Sequence, residues 1–68
     1  MKKSTKVAVE VDGVTKSTEV SLGTYEFLRD GALLRGRPMT FYLLRVVKEY
    51  GELTEDNIIR FMDEKWVI

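Results

Sequence analysis

The sequence has 68 residues, 44% of them hydrophobic, with no Cys and no His, and its 11 Lys and Arg balance 11 Asp and Glu. The missing residue types exclude disulfides, argue against a zinc site and remove the commonest general base and the thiolate nucleophile. We therefore expect no enzyme, no cofactor and no metal, and the zero net charge favours neither nucleic acid nor an anionic membrane.

The short length limits the hydrophobic core. Without disulfides or a metal, a domain of this size usually has no more than about 3–5 kcal/mol of stability. Some apolar surface is then left over, so we expect a protein partner or a homo-oligomer. No apolar run follows the polar segment Ser4–Lys6, and no stretch approaches the ~20 apolar residues of a membrane span. We expect one cytoplasmic domain over residues 1–68, without a signal peptide or membrane contact.

Residues Lys6–Val20 predict a β-hairpin, because valines alternate with small or polar residues on either side of Asp12-Gly13. That dipeptide favours a type I′ turn, in which both central residues have positive φ. The two-residue loop sets the register, so that Lys6 should face Glu19 as an opposite-charge pair. Five valines are expected on one dry face, namely Val7, Val9, Val11, Val14 and Val20.

A first helix is predicted after the hairpin, where the apolar period changes and Ser21 or Thr24 can cap the new element. Gly31 weakens a helix by about 1 kcal/mol relative to Ala, so the helix either continues through it or ends there. Pro38 then marks a break, since the residue before a proline avoids the helical conformation.

Two further helices complete the predicted fold. One should run from Pro38 or Thr40 to Tyr50, with Gly51 as its stop, and the last should begin after a Thr54 cap. The expected fold class is α+β, with an N-terminal antiparallel β-hairpin packed on three short helices in the order β-β-α-α-α. The terminal run Trp66–Ile68 is β-prone, and either adds a third strand or packs as a hydrophobic tail.

Residues 41–62 resemble a helix-turn-helix, with two amphipathic helices joined by a short turn that contains glycine. The resemblance implies that the last helix would place its N-terminal residues in the major groove of DNA. Asn57 and Arg60 could read bases there. However, Glu55 and Asp56 lead that helix, and phosphates repel them, so the sequence argues against standard reading by this helix.

The segment Arg35-Gly36-Arg37-Pro38 resembles the core of an AT-hook, whose arginines enter a narrow minor groove. It lacks the preceding proline and the basic surroundings of that motif, and we interpret it as a loop between two helices. Charge is uneven around it: residues 29–48 carry five cations and one anion, whereas residues 49–68 carry two cations and six anions. We expect these two stretches to lie together and neutralise each other.

The leading hypothesis is a small non-enzymatic protein-interaction or regulatory module, a size that also fits an accessory protein of a phage or mobile element. The alternative is a nucleic-acid-binding regulator that uses a basic Arg35–Lys48 patch with the helix-turn-helix-like pair. The candidate contacts with a partner or with nucleic acid are five cations: Arg35, Arg37, Arg45, Lys48 and Arg60. Most aromatic residues, Phe27 included, are expected to face inwards. Phe41 and Trp66 are the candidate interface anchors, because the pattern does not determine their burial.

Overall fold

A computed structural model describes residues 3–66 of the chain and confirms the predicted α+β fold class. Its elements in chain order are the strands β1 (Ser4–Val11) and β2 (Val14–Ser21) and the helices α1 (Leu22–Leu34), α2 (Met39–Tyr50) and α3 (Glu55–Lys65). The two strands form an antiparallel sheet, and the three helices follow it.

The hairpin has the predicted turn and register. Asp12 and Gly13 both adopt positive φ, 52° and 80°, as a type I′ turn requires. Lys6 lies opposite Glu19. Along the valine face, burial falls towards the turn: Val7, Val9 and Val20 are buried and Val11 is half-buried. The prediction of five dry valines is wrong at Val14, which is 54% exposed beside the turn, where the helices do not cover the sheet.

The core lies between the valine face and the three helices. Besides the sheet residues Val7, Val9 and Val20, its buried side chains are Leu28, Ala32, Tyr42, Leu43, Val46, Val47, Leu53, Ile58, Phe61 and Met62. No polar or charged residue between positions 3 and 66 is buried, so the described core is held by apolar packing. None of the helices described has the length and apolar character needed to cross a membrane.

Local chemistry sets the helix ends. The Ser21 hydroxyl accepts a hydrogen bond from the Thr24 backbone N–H at 3.2 Å and caps α1. The Thr54 hydroxyl caps α3 in the same way, accepting from the Asn57 N–H at 3.1 Å. Gly51, with φ of 85°, ends α2 in the left-handed conformation that glycine adopts without strain.

Helix α1 continues through Gly31, and the Trp66 ring occupies the space that a side chain at this position would take. A Cβ on Gly31 would lie 2.7 Å from Cη2 of Trp66 and closer still to Cζ3. Glycine therefore lets the end of α3 approach α1. Trp66 is the C-cap residue of α3 and does not add a strand to the sheet. The rest of the third-strand prediction, at residues 67 and 68, lies outside the described residues.

Helices α1 and α3 lie side by side with their N-termini at the same end. Glu55, the first residue of α3, joins the two N-termini: its carboxylate accepts from the Ser21 backbone N–H at 3.0 Å and from the Thr24 hydroxyl at 2.8 Å. The N-terminal ends of helices carry partial positive charge, so one carboxylate here stabilises both helices.

Arg35 joins the two C-termini at the opposite end. Its guanidinium donates to the Gly31 carbonyl of α1 at 3.1 Å and to the Trp66 carbonyl beyond α3 at 3.2 Å. Parallel neighbouring helices align their dipoles unfavourably. A cation at the shared negative end and an anion at the shared positive end offset that repulsion.

The Glu55 contacts predict acid sensitivity. The hydrogen bonds from the Ser21 backbone and then from Thr24 lower the pKa of the Glu55 carboxyl. A carboxyl whose pKa is lower in the folded than in the unfolded state stabilises the fold above its unfolded pKa. That stabilisation is lost as the pH falls through the folded value.

We expect Glu55→Gln to lower the free energy of unfolding by about 0.5–1 kcal/mol at neutral pH, a small effect because the side chain is half-exposed. The difference should disappear at a second, acidic pH that lies below the lowered pKa of the folded-state carboxyl, where the wild-type side chain is protonated as well. Urea unfolding at both pH values measures it. The matched control is Asp56→Asn, which removes an exposed carboxylate from the same helical turn. An equal loss at both pH values would contradict a role for the charge.

Candidate functional site

An apolar depression with a volume of about 460 Å³ lies between α1 and α3, towards their C-terminal ends. We call it the α1/α3 groove. Its residues are Phe27, Asp30, Gly31, Leu34 and Arg35 from the α1 side and Met62, Asp63 and Trp66 from the α3 side. Its surface is mostly hydrocarbon, with two carboxylates and one guanidinium.

Two large apolar side chains of the groove are strongly exposed. Phe27 is 63% exposed and Leu34 is 85% exposed, and their spacing of two helical turns places them on one face of α1. Leu33, beside Leu34, is exposed as well. Single exposed apolar residues are ordinary on protein surfaces, whereas a contiguous set around a groove marks an interaction site.

The expectation that Phe27 faces inwards is therefore wrong. The buried residues of α1 are Leu28 and Ala32, which are four positions apart. Phe27 and Leu34 form a second apolar row on a neighbouring face of the same helix. A helix that buries one face needs only one apolar row. The presence of two rows in this short helix was therefore the sequence signal that one of them is exposed.

Trp66, a candidate anchor, forms a wall of the groove and is half-buried. The Tyr42 ring contacts it edge-on with ring centroids 5.0 Å apart, and the Phe27 ring lies 6.3 Å away. The Arg35 guanidinium covers the indole at 4.1 Å from its centroid. The indole Nε1 is buried and finds no acceptor among residues 3–66. The Trp66 ring is thus held within the fold by Tyr42, Phe27 and Arg35 and by its close approach to Gly31.

Phe41, the other candidate anchor, is also half-buried. The Arg37 guanidinium lies 4.4 Å from its ring centroid and that of Arg45 lies 5.9 Å away. The edge of Tyr42 approaches the ring at 5.0 Å. Phe41 therefore brings two cations together rather than presenting a free ring.

A second cleft, of about 290 Å³, collects cations from three parts of the chain. Arg35, Arg45 and Lys65 line it together with three aromatic side chains, Tyr42, Phe61 and Trp66. Arg37 approaches the same region through its contact with Phe41. Lys48 continues the row one turn beyond Arg45 on the exposed side of α2. We call these five cations the cationic face: Arg35, Arg37, Arg45, Lys48 and Lys65.

The structure brings together most of the predicted cations but not Arg60. That side chain donates to Glu64 at 3.2 Å and lies 5.1 Å from the Tyr50 ring centroid. The Tyr50 hydroxyl donates to the same Glu64 carboxylate. The hydrogen bond from Tyr50, and after it the one from Arg60, lower the pKa of Glu64. Sequence reasoning missed Lys65, because it stands in a segment that is acidic as a whole.

The expected neutralisation of the basic stretch by the acidic one does not occur through ion pairs. The ion pairs described between residues 3 and 66 are Arg29–Asp30 at 3.1 Å, Arg60–Glu64 at 3.2 Å and Lys65–Glu49 at 3.5 Å. Each of them joins two residues of the same stretch. In the described part of the chain, no carboxylate approaches Arg35, Arg37, Arg45 or Lys48 within 4.0 Å.

The side chains that a helix-turn-helix would use are engaged within the fold. Glu55 binds the start of α1, and the Asn57 side-chain amide donates to the Glu52 carbonyl at 3.1 Å. Arg60 is paired with Glu64. The loop between α1 and α2 contains the segment that resembles an AT-hook, and Arg37 N–H donates to the Ala32 carbonyl there at 3.0 Å. The interpretation of that segment as an interhelical loop is confirmed.

The described residues therefore present two surfaces that can contact other molecules, an apolar groove and a cationic face, which meet at Arg35 and Trp66. In the same residues, no group of three or more acidic side chains is placed to hold a metal ion. Comparisons of the chain with protein-family models, with curated proteins and with solved structures give no significant match, so its function is inferred from these two surfaces.

Proposed function

We propose that the protein is a non-enzymatic interaction module that pairs with a second copy of itself through the α1/α3 groove. The observation that carries this proposal is the exposure of Phe27 and Leu34 on one face of α1. Burying a large apolar side chain contributes about 1.5–3 kcal/mol, and a chain with so small a core gains much from burying more.

The ends of the groove suit an antiparallel second copy. With two α1 helices crossing between Asp30 and Gly31, Phe27 of one copy faces Leu34 of the other. The same arrangement places the exposed Glu26 opposite Arg35 of the second copy, and the twofold axis creates each contact twice. A parallel arrangement would instead place Glu26 opposite Glu26 and Arg35 opposite Arg35.

The Arg35 side chain can keep its hydrogen bonds within the fold and also bind Glu26 of the second copy. Two of its N–H groups donate to carbonyls within the fold, and a guanidinium has five N–H donors in all. The remaining donors are available to a carboxylate across the interface. Charge complementarity therefore supports a second copy as the occupant of the groove.

Sedimentation equilibrium tests the proposal. An interface built around four apolar side chains is at the small end of the known range, so we expect a dissociation constant between about 10 µM and about 1 mM. The average mass should rise from the monomer value of 7.9 kDa towards twice that value with concentration. Leu34→Asp should abolish the rise, because it places a carboxylate against the apolar ring of Phe27 in the second copy.

The matched control is Leu22→Asp, the same substitution on the same helix at a side chain that is 40% exposed and does not line the groove. It should self-associate like the wild type, and circular dichroism should show that both variants fold. A wild-type mass that stays monomeric at every concentration would refute the proposal. Equal loss of association in both variants would exclude the groove as the interface.

A further inference from the structure

We infer that the cationic face binds the phosphodiester backbone of double-stranded nucleic acid. This inference does not rest on self-association through the groove. It uses residues of the loop after α1, the exposed side of α2 and the end of α3. It therefore differs from a helix-turn-helix, which would lead with the acidic first turn of α3.

The chemistry of the second cleft selects an anion. Arg35, Arg45 and Lys65 offer only donors, and no carboxylate side chain lines the cleft. Lys65 has an exposed partner, Glu49, at 3.5 Å, and an exposed ion pair of that length is weak. A cleft whose charged groups are all cations binds anions, and an arginine can bind a phosphate with two parallel hydrogen bonds.

Aromatic rings, rather than carboxylates, hold these like charges in place. The Arg35 guanidinium stacks on Trp66 and that of Arg37 on Phe41, at 4.1 and 4.4 Å from the ring centroids. Cation–π contacts fix a guanidinium without neutralising its charge. No carboxylate in the described residues pairs with either arginine. A bound phosphate can therefore supply the counter-charge of Arg37 in monomer and dimer alike, and that of Arg35 in the monomer, where no Glu26 of a second copy faces it.

The covered rings favour a duplex backbone over a single strand. Proteins that bind single strands stack bases on aromatic faces, and here guanidinium groups already cover Trp66 and Phe41. Duplex phosphates require only cations along a surface. The cations also extend beyond one cleft, since Lys48 lies about 4.5 Å further along α2 than Arg45.

Fluorescence anisotropy with a short labelled DNA duplex tests the inference. We expect a dissociation constant of about 1–100 µM at moderate salt, and a slope of log K against log salt between about −3 and −4 for four phosphate contacts. Replacing Arg45 and Lys65 together by Gln should weaken binding by about tenfold or more and bring the slope closer to zero by about 2. Arg37→Gln should change the slope by about 1 in the same direction.

The matched control replaces Lys6 and Arg60 by Gln, which removes the same net charge from exposed positions outside the cationic face. It should bind the duplex nearly as well as the wild type. Neither Arg45 nor Lys65 lines the α1/α3 groove, so their double variant should self-associate normally, and Leu34→Asp should still bind the duplex. These cross-checks separate failure of this inference from failure of the proposed interaction function.

Four results would overturn the inference. One is the absence of duplex binding at about 20 mM salt, where phosphate contacts are strongest. Another is a control variant that loses as much affinity as the Arg45 and Lys65 variant, since net charge alone would then explain binding. Tighter binding of oligothymidine than of duplex would indicate base stacking. Equal competition by polyglutamate would indicate an acidic protein as the ligand.

Discussion

Replacing Ile58 by Ala is expected to unfold a large fraction of the protein at 25 °C, whereas the same substitution at Ile59 should leave it folded. Ile58 is 0% exposed, and Ile59, the next residue of α3, is 42% exposed. Truncating a fully buried isoleucine to alanine typically costs about 2–5 kcal/mol, through lost apolar transfer and the cavity that remains. That loss is comparable with the whole stability of about 3–5 kcal/mol expected for a chain of this size.

Ile59→Ala is the matched control, because it removes the same atoms from the same helix one residue later. Substitutions at exposed positions usually change stability by no more than about 0.5 kcal/mol, and Ala is a slightly better helix former than Ile. Urea unfolding followed by far-UV circular dichroism measures both variants. Similar midpoints for the two variants would contradict the placement of α3 against the sheet, since its two faces would then be equivalent.

The elements of this fold were predictable where neighbouring residues determine them. Asp12-Gly13 specifies the turn and so the register of the hairpin, and Ser21 and Thr54 cap the helices that follow them. Gly51 ends α2 as expected. In each case the hydrogen bond or positive φ involves only residues close in sequence, so a short segment is enough to predict it.

Contacts between distant residues were not predictable. Local propensity left open whether the helix continues through Gly31, and the reason for a glycine there is its contact with Trp66, which lies 35 positions later. Glu55 leads its own helix in the sequence, but its carboxylate also binds the start of α1, since the two helices are parallel neighbours. The exposure of Phe27 likewise follows from the packing of α1 against α3, which the apolar period alone does not specify.

The candidate site was predictable in part. The run of cations from Arg35 to Arg45 was evident in the sequence, and the structure places them near one another. Lys65 was hidden, because the average charge of its segment is negative although the side chain itself joins the cationic cleft. The apolar groove was missed, since it requires both helices and neither carries a sequence motif.

Because Gly31 contacts Trp66, we predict that Gly31→Ala changes the free energy of unfolding in opposite directions when the Trp66 ring is present and when it is absent. Gly31→Ala raises the helix propensity of α1 by about 1 kcal/mol. It also places a Cβ where the indole ring lies, and displacing a large apolar side chain forfeits about 1.5–3 kcal/mol of burial. The second effect is larger, so we expect a net loss of about 1 kcal/mol in the free energy of unfolding.

In a Trp66→Ala background the ring is absent and only the propensity effect remains. Gly31→Ala should then stabilise the protein by about 1 kcal/mol, so that the double-mutant cycle gives a coupling of about 2 kcal/mol. Gly23→Ala is the matched control in the same helix, because a Cβ there meets no atom within 4 Å. It should stabilise the protein slightly in both backgrounds.

Fluorescence gives a second readout that does not depend on stability. Trp66 is the only tryptophan in the chain, so its emission should move to longer wavelength in Gly31→Ala as the ring leaves α1 for water. Because Trp66 is also a wall of the α1/α3 groove, its displacement should weaken self-association. If Gly31→Ala stabilises the protein as Gly23→Ala does, with unchanged emission, the ring does not lie against Gly31. The hydrogen bonds by which Arg35 joins the C-termini of α1 and α3 would then be in doubt as well, because one of them goes to the Trp66 carbonyl.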